Sequence, residues 1–151
     1  MTDHAPTFDQ ADLDYFHHRG AEENPIFWSR FGGMPDLSGL LVGDVGCGHG
    51  SLCIGMAQAG ADRVIGFDLE DRLVHFARDI TRAEYSDLAD RLEFRIQDIG
   101  AAPETGFDIL VSKDTFEHVI DIPGVLASIR AKLAPGGRAY IGFGPLWNAP
   151  N

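Results

Sequence analysis

The chain is poor in several features that would assign it at once. Its 151 residues hold only two cysteines, Cys47 and Cys53, too few for a disulfide scaffold, so a reducing, cytoplasmic setting is expected. No apolar run approaches the ~18 residues of a membrane span. The opening MTDHAPTFDQ lacks the basic-then-apolar plan of a secretory signal. Basic residues are scarce: 12 Lys and Arg face 23 Asp and Glu, a net charge of −11. A nucleic-acid backbone or an anionic lipid surface is therefore repelled on average, and no Lys/Arg run builds a local exception. Repeats and low-complexity stretches are missing too.

What is present points to one globular domain. Leu, Ile, Val and Phe make up 41 of 151 residues, about 27% against the ~20% below which disorder is favoured. Glycine is over-represented at 18 residues. Residues 9–19 read as a weakly amphipathic helix. Asn24-Pro25 resembles a cap and first helical position for the aromatic segment IFWSRF, ended by Gly32, Gly33 and Pro35. Short apolar strands are expected at 40–45, 63–67, 91–96, 107–112 and 138–143, with helices at 51–59, 70–84 and from Asp121 onward. The last carries Ile122, Val125, Leu126, Ile129 and Leu133 at helical spacing and is stopped by Pro135-Gly136-Gly137. Strands alternating with helices imply an α/β fold with a parallel sheet covered on both faces. Ligands of such sheets bind beyond the strands' carboxyl ends, where the strand order reverses.

The unusual residues lie at those ends. After the first strand comes Gly46-Cys47-Gly48-His49-Gly50, a turn that lets a ligand approach main-chain amides and the next helix's N-terminus. A dinucleotide fingerprint would need Gly or Ala where Ser51 stands, and a phosphate-binding P-loop would need a lysine. Neither fits. Asp68 follows the second strand, 22 residues past Gly46, with Leu69 beside it; a carboxylate there can accept two hydrogen bonds from a diol, or can act as a helix cap. Asp98-Ile99 follows the third strand. Lys113 and the segment Asp114-Thr115-Phe116-Glu117-His118 follow the fourth.

The pattern Asp44-x-Gly46-x-Gly48-x-Gly50, with Asp68 at its spacing, resembles the class I S-adenosylmethionine-dependent methyltransferases over most of the chain. The resemblance implies a Rossmann-like, doubly wound sheet in three α/β/α layers, preceded by a helical cap over 1–36, with the cofactor-binding core at 37–144. It implies S-adenosylmethionine as cofactor. The cofactor would be held by Asp44, Gly46, Cys47, Gly48 and Gly50, by Asp68 and Leu69 at the ribose, by Asp98 and the Ile99 amide at adenine, and by the Lys113 backbone at the methionine end. It also implies methyl transfer to a small molecule, with oxygen as a candidate acceptor atom.

At Asp114, Glu117 and His118 three readings stay open: a helix-entry segment with local hydrogen bonds, a general base at His118, or a divalent metal held by all three that lowers the acceptor's pKa. The other functional reading of the chain is a cofactor-binding or regulatory module without turnover. His17 and His18 are expected on a solvated face near the cofactor mouth, with His75 exposed and His49 pointing to solvent. Cys47 has no base beside it to make it a nucleophile. Phe27, Trp28 and Phe31 are read as core. The family's sheet ends in further strands, so the tail at 145–151 leads to the expectation of a truncated chain, or of an exposed fifth-strand edge through which a homo-oligomer could form.

Overall fold

The structure, a computed structural model, describes residues 6–143. The expectations for the tail at 145–151, with Leu146 and Trp147, lie outside the described residues. The chain opens with α1 (Gln10–His18), a π-helical turn (Arg19–Glu23) and α2 (Asn24–Ser29) in one continuous helical run. There follow β1 (Leu41–Val45), α3 (Ser51–Gln58), β2 (Arg63–Asp68), α4 (Asp71–Glu84), β3 (Leu92–Ile96), β4 (Phe107–Lys113), α5 (Ile122–Lys132) and β5 (Leu133–Gly142). Among the described residues the sheet has five parallel strands in the order β3-β2-β1-β4-β5. The order reverses between β1 and β4, which opens a crevice at their carboxyl ends.

Burial on both faces explains the continuous apolar strands. Val42, Val64 and Val111 face one core layer with Phe16, Phe27, Trp28, Met56 and Phe76. Their neighbours Ile65, Phe67 and Leu110 face a second layer with Ile99, Phe116 and Ile129. Helices on both faces complete the three-layer α/β/α arrangement.

The structure departs from the sequence reading at several places. Asn24 is not a cap: it sits in helical conformation, and the helix passes through it. The preceding π-turn, in which the Asn24 amide bonds to Arg19 O, accommodates Pro25, which has no N–H and whose ring would clash in a regular α-turn. Phe27 and Trp28 are core, but Phe31 is half-exposed against Tyr140. β5 begins at Leu133, which pairs with Phe107; Pro135-Gly136-Gly137 form an irregularity inside it, after which Arg138 pairs with Ile109. On α5, Asp121 does cap, accepting from Gly124 N at 3.0 Å. Of its apolar series only Ile129 is buried; Ile122 and Leu126 stay exposed. α5 packs through Ile129 and Val125 alongside Ile99 and Ala102, and its other turns reach past that contact.

Candidate active site

The glycine loop is pinned by main-chain bonds. Gly46 N and Cys47 N both donate to Phe67 O, at 2.8 and 2.9 Å. Gly46 has φ +82°, and a Cβ there would lie 2.2 Å from Thr115 Oγ1. Gly50, at φ +88°, opens α3, and a Cβ there would meet Ala77 and Phe94 at 2.9 Å. Both positions therefore need glycine for conformation and for space.

Asp68 ties this loop to β2. Its Oδ2 accepts from Gly48 N at 2.8 Å and its Oδ1 from Glu70 N at 3.0 Å. Each carboxylate oxygen keeps a second lone pair for a ligand hydroxyl. The carboxylate thus bonds the turn before α4, but the N-cap position of α4 is Glu70. Asp98 caps the short turn Ile99–Ala101 through Gly100 N, at 2.7 Å to Oδ1, which leaves Oδ2 for a ligand donor.

A cleft of about 760 Å³ lies over these strand ends, within the size range of cofactor sites. The expected residues Gly46, Cys47, Gly48, Asp68, Leu69, Asp98, Ile99, Lys113, Asp114 and His118 line it. Asp44, Gly50 and Glu117 do not. Asp44 is buried under the loop, where Cys53 Sγ donates to its Oδ2 at 3.5 Å and its Oδ1 has no partner. Burial pushes its carboxyl up to about 7, with the Cys53 bond opposing and the Asp68 charge adding to the rise. Glu117 Oε2 is likewise buried without a partner.

The segment after β4 is held differently. Ser112 Oγ donates to Val45 O at 2.8 Å, closing the switch point. Lys113 is buried, and its Nζ reaches Glu23 at 2.9 Å and Asp114 at 3.3 Å. Arg19 Nη2 reaches the same Asp114 oxygen at 3.2 Å. Asp114 has φ +53°, the sole non-glycine residue at positive φ among the described residues, a strained conformation of the kind that concentrates at functional sites. The metal reading is not supported by this geometry: among the described residues no three His, Cys, Asp or Glu side chains converge as ion ligands. Asp114 is engaged by Arg19 and Lys113, and Glu117 turns away from the cleft. His118 is exposed on the cleft wall.

Other site residues had no signal in the sequence. Ala11, Asp12, Tyr15 and Arg19 of the N-terminal helical run line the cleft. His49 does not point to solvent: its side chain is 11% exposed and bonds Asp12 Oδ1 at 2.8 Å. Nothing in a weakly amphipathic helix marks one aspartate as the partner of a histidine 37 residues on. His17, His18 and His75 are exposed, as expected. Both cysteines are buried free thiols.

The profile of a methyltransferase-domain family matches residues 36–142. A ubiquinone biosynthesis O-methyltransferase from Sinorhizobium medicae is 33% identical over 140 residues, covering 89% of this chain and 52% of the relative. One from Neisseria meningitidis is 32% identical over 120 residues, covering 78% and 49%. The chain thus spans about half the length of the curated relatives it matches. Among solved structures, magnesium protoporphyrin IX methyltransferase from Synechocystis with bound S-adenosylmethionine superposes with TM-score 0.61 at 26% identity, over 87% of this chain and 61% of that one. A Methanococcus maripaludis protein shares the fold at TM-score 0.74 and 21% identity, over 95% and 68%. With the profile spanning well over half of it, this chain belongs to the methyltransferase-domain family.

Proposed function

We propose that this chain binds S-adenosylmethionine in the cleft and transfers its methyl group to an oxygen of a small molecule. The observation that carries the reading is the pinned pair of glycine loop and Asp68. Main-chain amides and a carboxylate with spare lone pairs are held at the switch point of a parallel sheet. The cleft suits the ligand: Asp68 for a diol, Asp98 Oδ2 for an exocyclic amine, and the Arg19, Lys113 and Asp114 charges for a zwitterionic end. The relatives, O-methyltransferases of ubiquinone biosynthesis, support oxygen as the acceptor atom and a small molecule as its class.

When bound, the cofactor supplies an electrophilic sulfonium methyl. The chain's own work is then to hold an acceptor in line with it, and orientation provides much of the rate. His118, on the cleft wall after β4, removes the acceptor proton as general base. Arg19 and Lys113 fix Asp114 at the same end, and the helical run 10–29 covers the cleft from water. The two free thiols fit a reducing, cytoplasmic setting.

Calorimetric titration with S-adenosylhomocysteine, with NAD in parallel, tests the binding half: the former alone is expected to bind. The transfer half is tested by methyl-labelled cofactor against a panel of catechols and phenols. His118→Gln should lower kcat at least tenfold with little change in cofactor affinity. Cofactor binding with no labelled product from any acceptor would favour the binding-module reading instead. Magnesium and then a chelator should leave turnover unchanged.

A further inference from the structure

α1 crosses the cleft on its ribose side, and one residue ties it down. Asp12 sends Oδ1 to His49 Nε2 at 2.8 Å and accepts from Arg72 Nη1 on Oδ2 at 2.7 Å. His49 belongs to the glycine loop and Arg72 to the first turn of α4, so a single carboxylate bridges both walls of the cleft. The Asp12 and His49 side chains are only 19% and 11% exposed. The imidazole lies between the rings of Tyr15 and Phe76, with centroids 4.8 and 5.0 Å away. The hydrogen bond from His49, helped by Arg72, holds the Asp12 carboxyl below its ordinary range, as befits an anion paired on both oxygens.

Elsewhere α1 is lightly held. Phe16 is its one fully buried residue, with Leu13 packed part-exposed against the core, whereas α4 buries Val74, Phe76, Ala77, Ile80 and Thr81. Elements with few buried apolar contacts open at low free-energy cost. At its C-terminal end α1 runs into the π-turn Arg19–Glu23, which contains Gly20. The turn itself is anchored, by Arg19 to Asp114 and Glu23 to Lys113, and the buried Asn24, Phe27 and Trp28 follow it, so α1 can swing only about the point where it meets the turn. A weakly packed helix thus lies between a polar clasp at one end and a non-ideal turn at the other. Its own Ala11, Asp12 and Tyr15 share the cleft lining with Asp68, Leu69 and Glu70.

We propose that α1 is a gate over the cofactor cleft, hinged where it meets the π-turn and held shut by Asp12 clasped between His49 and Arg72. The inference rests on the proposed cofactor. The ligand passes in and out only while the clasp is open, so the open fraction scales the association and the dissociation rate together. A residue that merely touched the ligand would, when removed, raise the dissociation rate and leave association alone.

The test compares the wild-type chain with Asp12→Asn and His49→Phe, the second keeping the ring packing. Association and dissociation rate constants are measured with S-adenosylhomocysteine, whose overall neutrality limits charge effects on its approach. Both constants are expected to rise at least threefold in each variant, with no further rise in the double variant. Kd should move less than either rate. An unchanged or slower association rate would overturn the gate. Amide hydrogen exchange without ligand reads the motion directly: residues 13–18 should exchange faster in Asp12→Asn while α3 and α4 keep their protection. Equal exchange across α1 in variant and wild type would also overturn it. If the wild-type chain bound no S-adenosylhomocysteine, the cofactor reading would fall, and the exchange result would still decide whether the clasp holds the helix.

Discussion

The two ends of the cleft are built on different principles. The glycine-loop end is assembled from near neighbours: Gly46, Cys47 and Gly48 bond to the end of β2, and Asp68 bonds to Gly48 and Glu70. Most of those bonds involve main-chain atoms, and their geometry follows from glycine conformations and strand register. The end after β4 is assembled from charged side chains far apart in the chain. Lys113 pairs with Glu23 and Arg19 with Asp114, across 90 and 95 residues. A loop fastened by backbone can bind the same ligand whatever surrounds it. An end fastened by side-chain charge depends on residues remote in the chain, so a change in the N-terminal helical run reaches it directly.

The sharpest way to break the comparison is Gly46→Ala, since the new Cβ would strike Thr115, a residue of the opposite end. S-adenosylhomocysteine affinity should fall at least a hundredfold, with a stability loss of about 1–3 kcal/mol from the forced positive φ. Thr115→Ala in the same chain should recover part of both losses, as read by titration and urea unfolding. Next is Asp68→Asn, which keeps the shape but sets an amide NH₂ against backbone N–H donors. Affinity should drop tenfold to a hundredfold, about 1.5–3 kcal/mol for charge-assisted bonds. An unchanged affinity would remove Asp68 from the ribose.

On the other side, Lys113→Met leaves Glu23 and Asp114 to share Arg19 as their one neighbouring cation. Urea unfolding should show a loss of about 1–2 kcal/mol, and Lys113→Met with Glu23→Gln should lose less than the two single changes added together.

The smallest effect is on pH. The Asp44 carboxyl stands at about 7 in the fold, against 3.8 for an exposed aspartate. The folded chain therefore holds a proton that the unfolded chain releases, and that stability is lost as pH rises through 7. Between pH 6 and 8 the loss should be about 1.4 kcal/mol, or roughly 3–6 °C in Tm. Asp44→Asn should flatten that slope. Glu104, held at about 2 chiefly by its bond from Arg95, acts with the opposite sign. Its contribution is present above 4.5 and lost as pH falls toward 2, so it leaves this window alone.

Legibility in the sequence followed locality. β1, β2 and β4, the glycine turn and the Asp121 cap were readable because each depends on residues within a few positions. The β5 start was not: Leu133 joins the sheet only because Phe107 receives it, and the Pro135–Gly137 turn that marks a break in sequence is absorbed as an irregularity in the strand. The Asn24-Pro25 cap signal misled because the π-turn, invisible in composition, lets the helix continue. Leu126 and Ile122 followed a helical period without finding a surface to bury against. His49 looked like a solvent-facing loop residue until α1 brought Asp12 to it.

From the sequence alone, the parallel sheet and the glycine turn after its first strand were already determined, while the strand order that sets the switch point came from the structure. Hydrophobic period and glycine placement act through the backbone of adjacent residues, and such constraints hold in any tertiary setting. Only the tertiary structure decided which charges meet after β4, that His118 lines the cleft while Glu117 does not, and that Asp12 of α1 meets His49. Those outcomes depend on the distance between side chains remote in sequence, a quantity set by packing and absent from any local pattern.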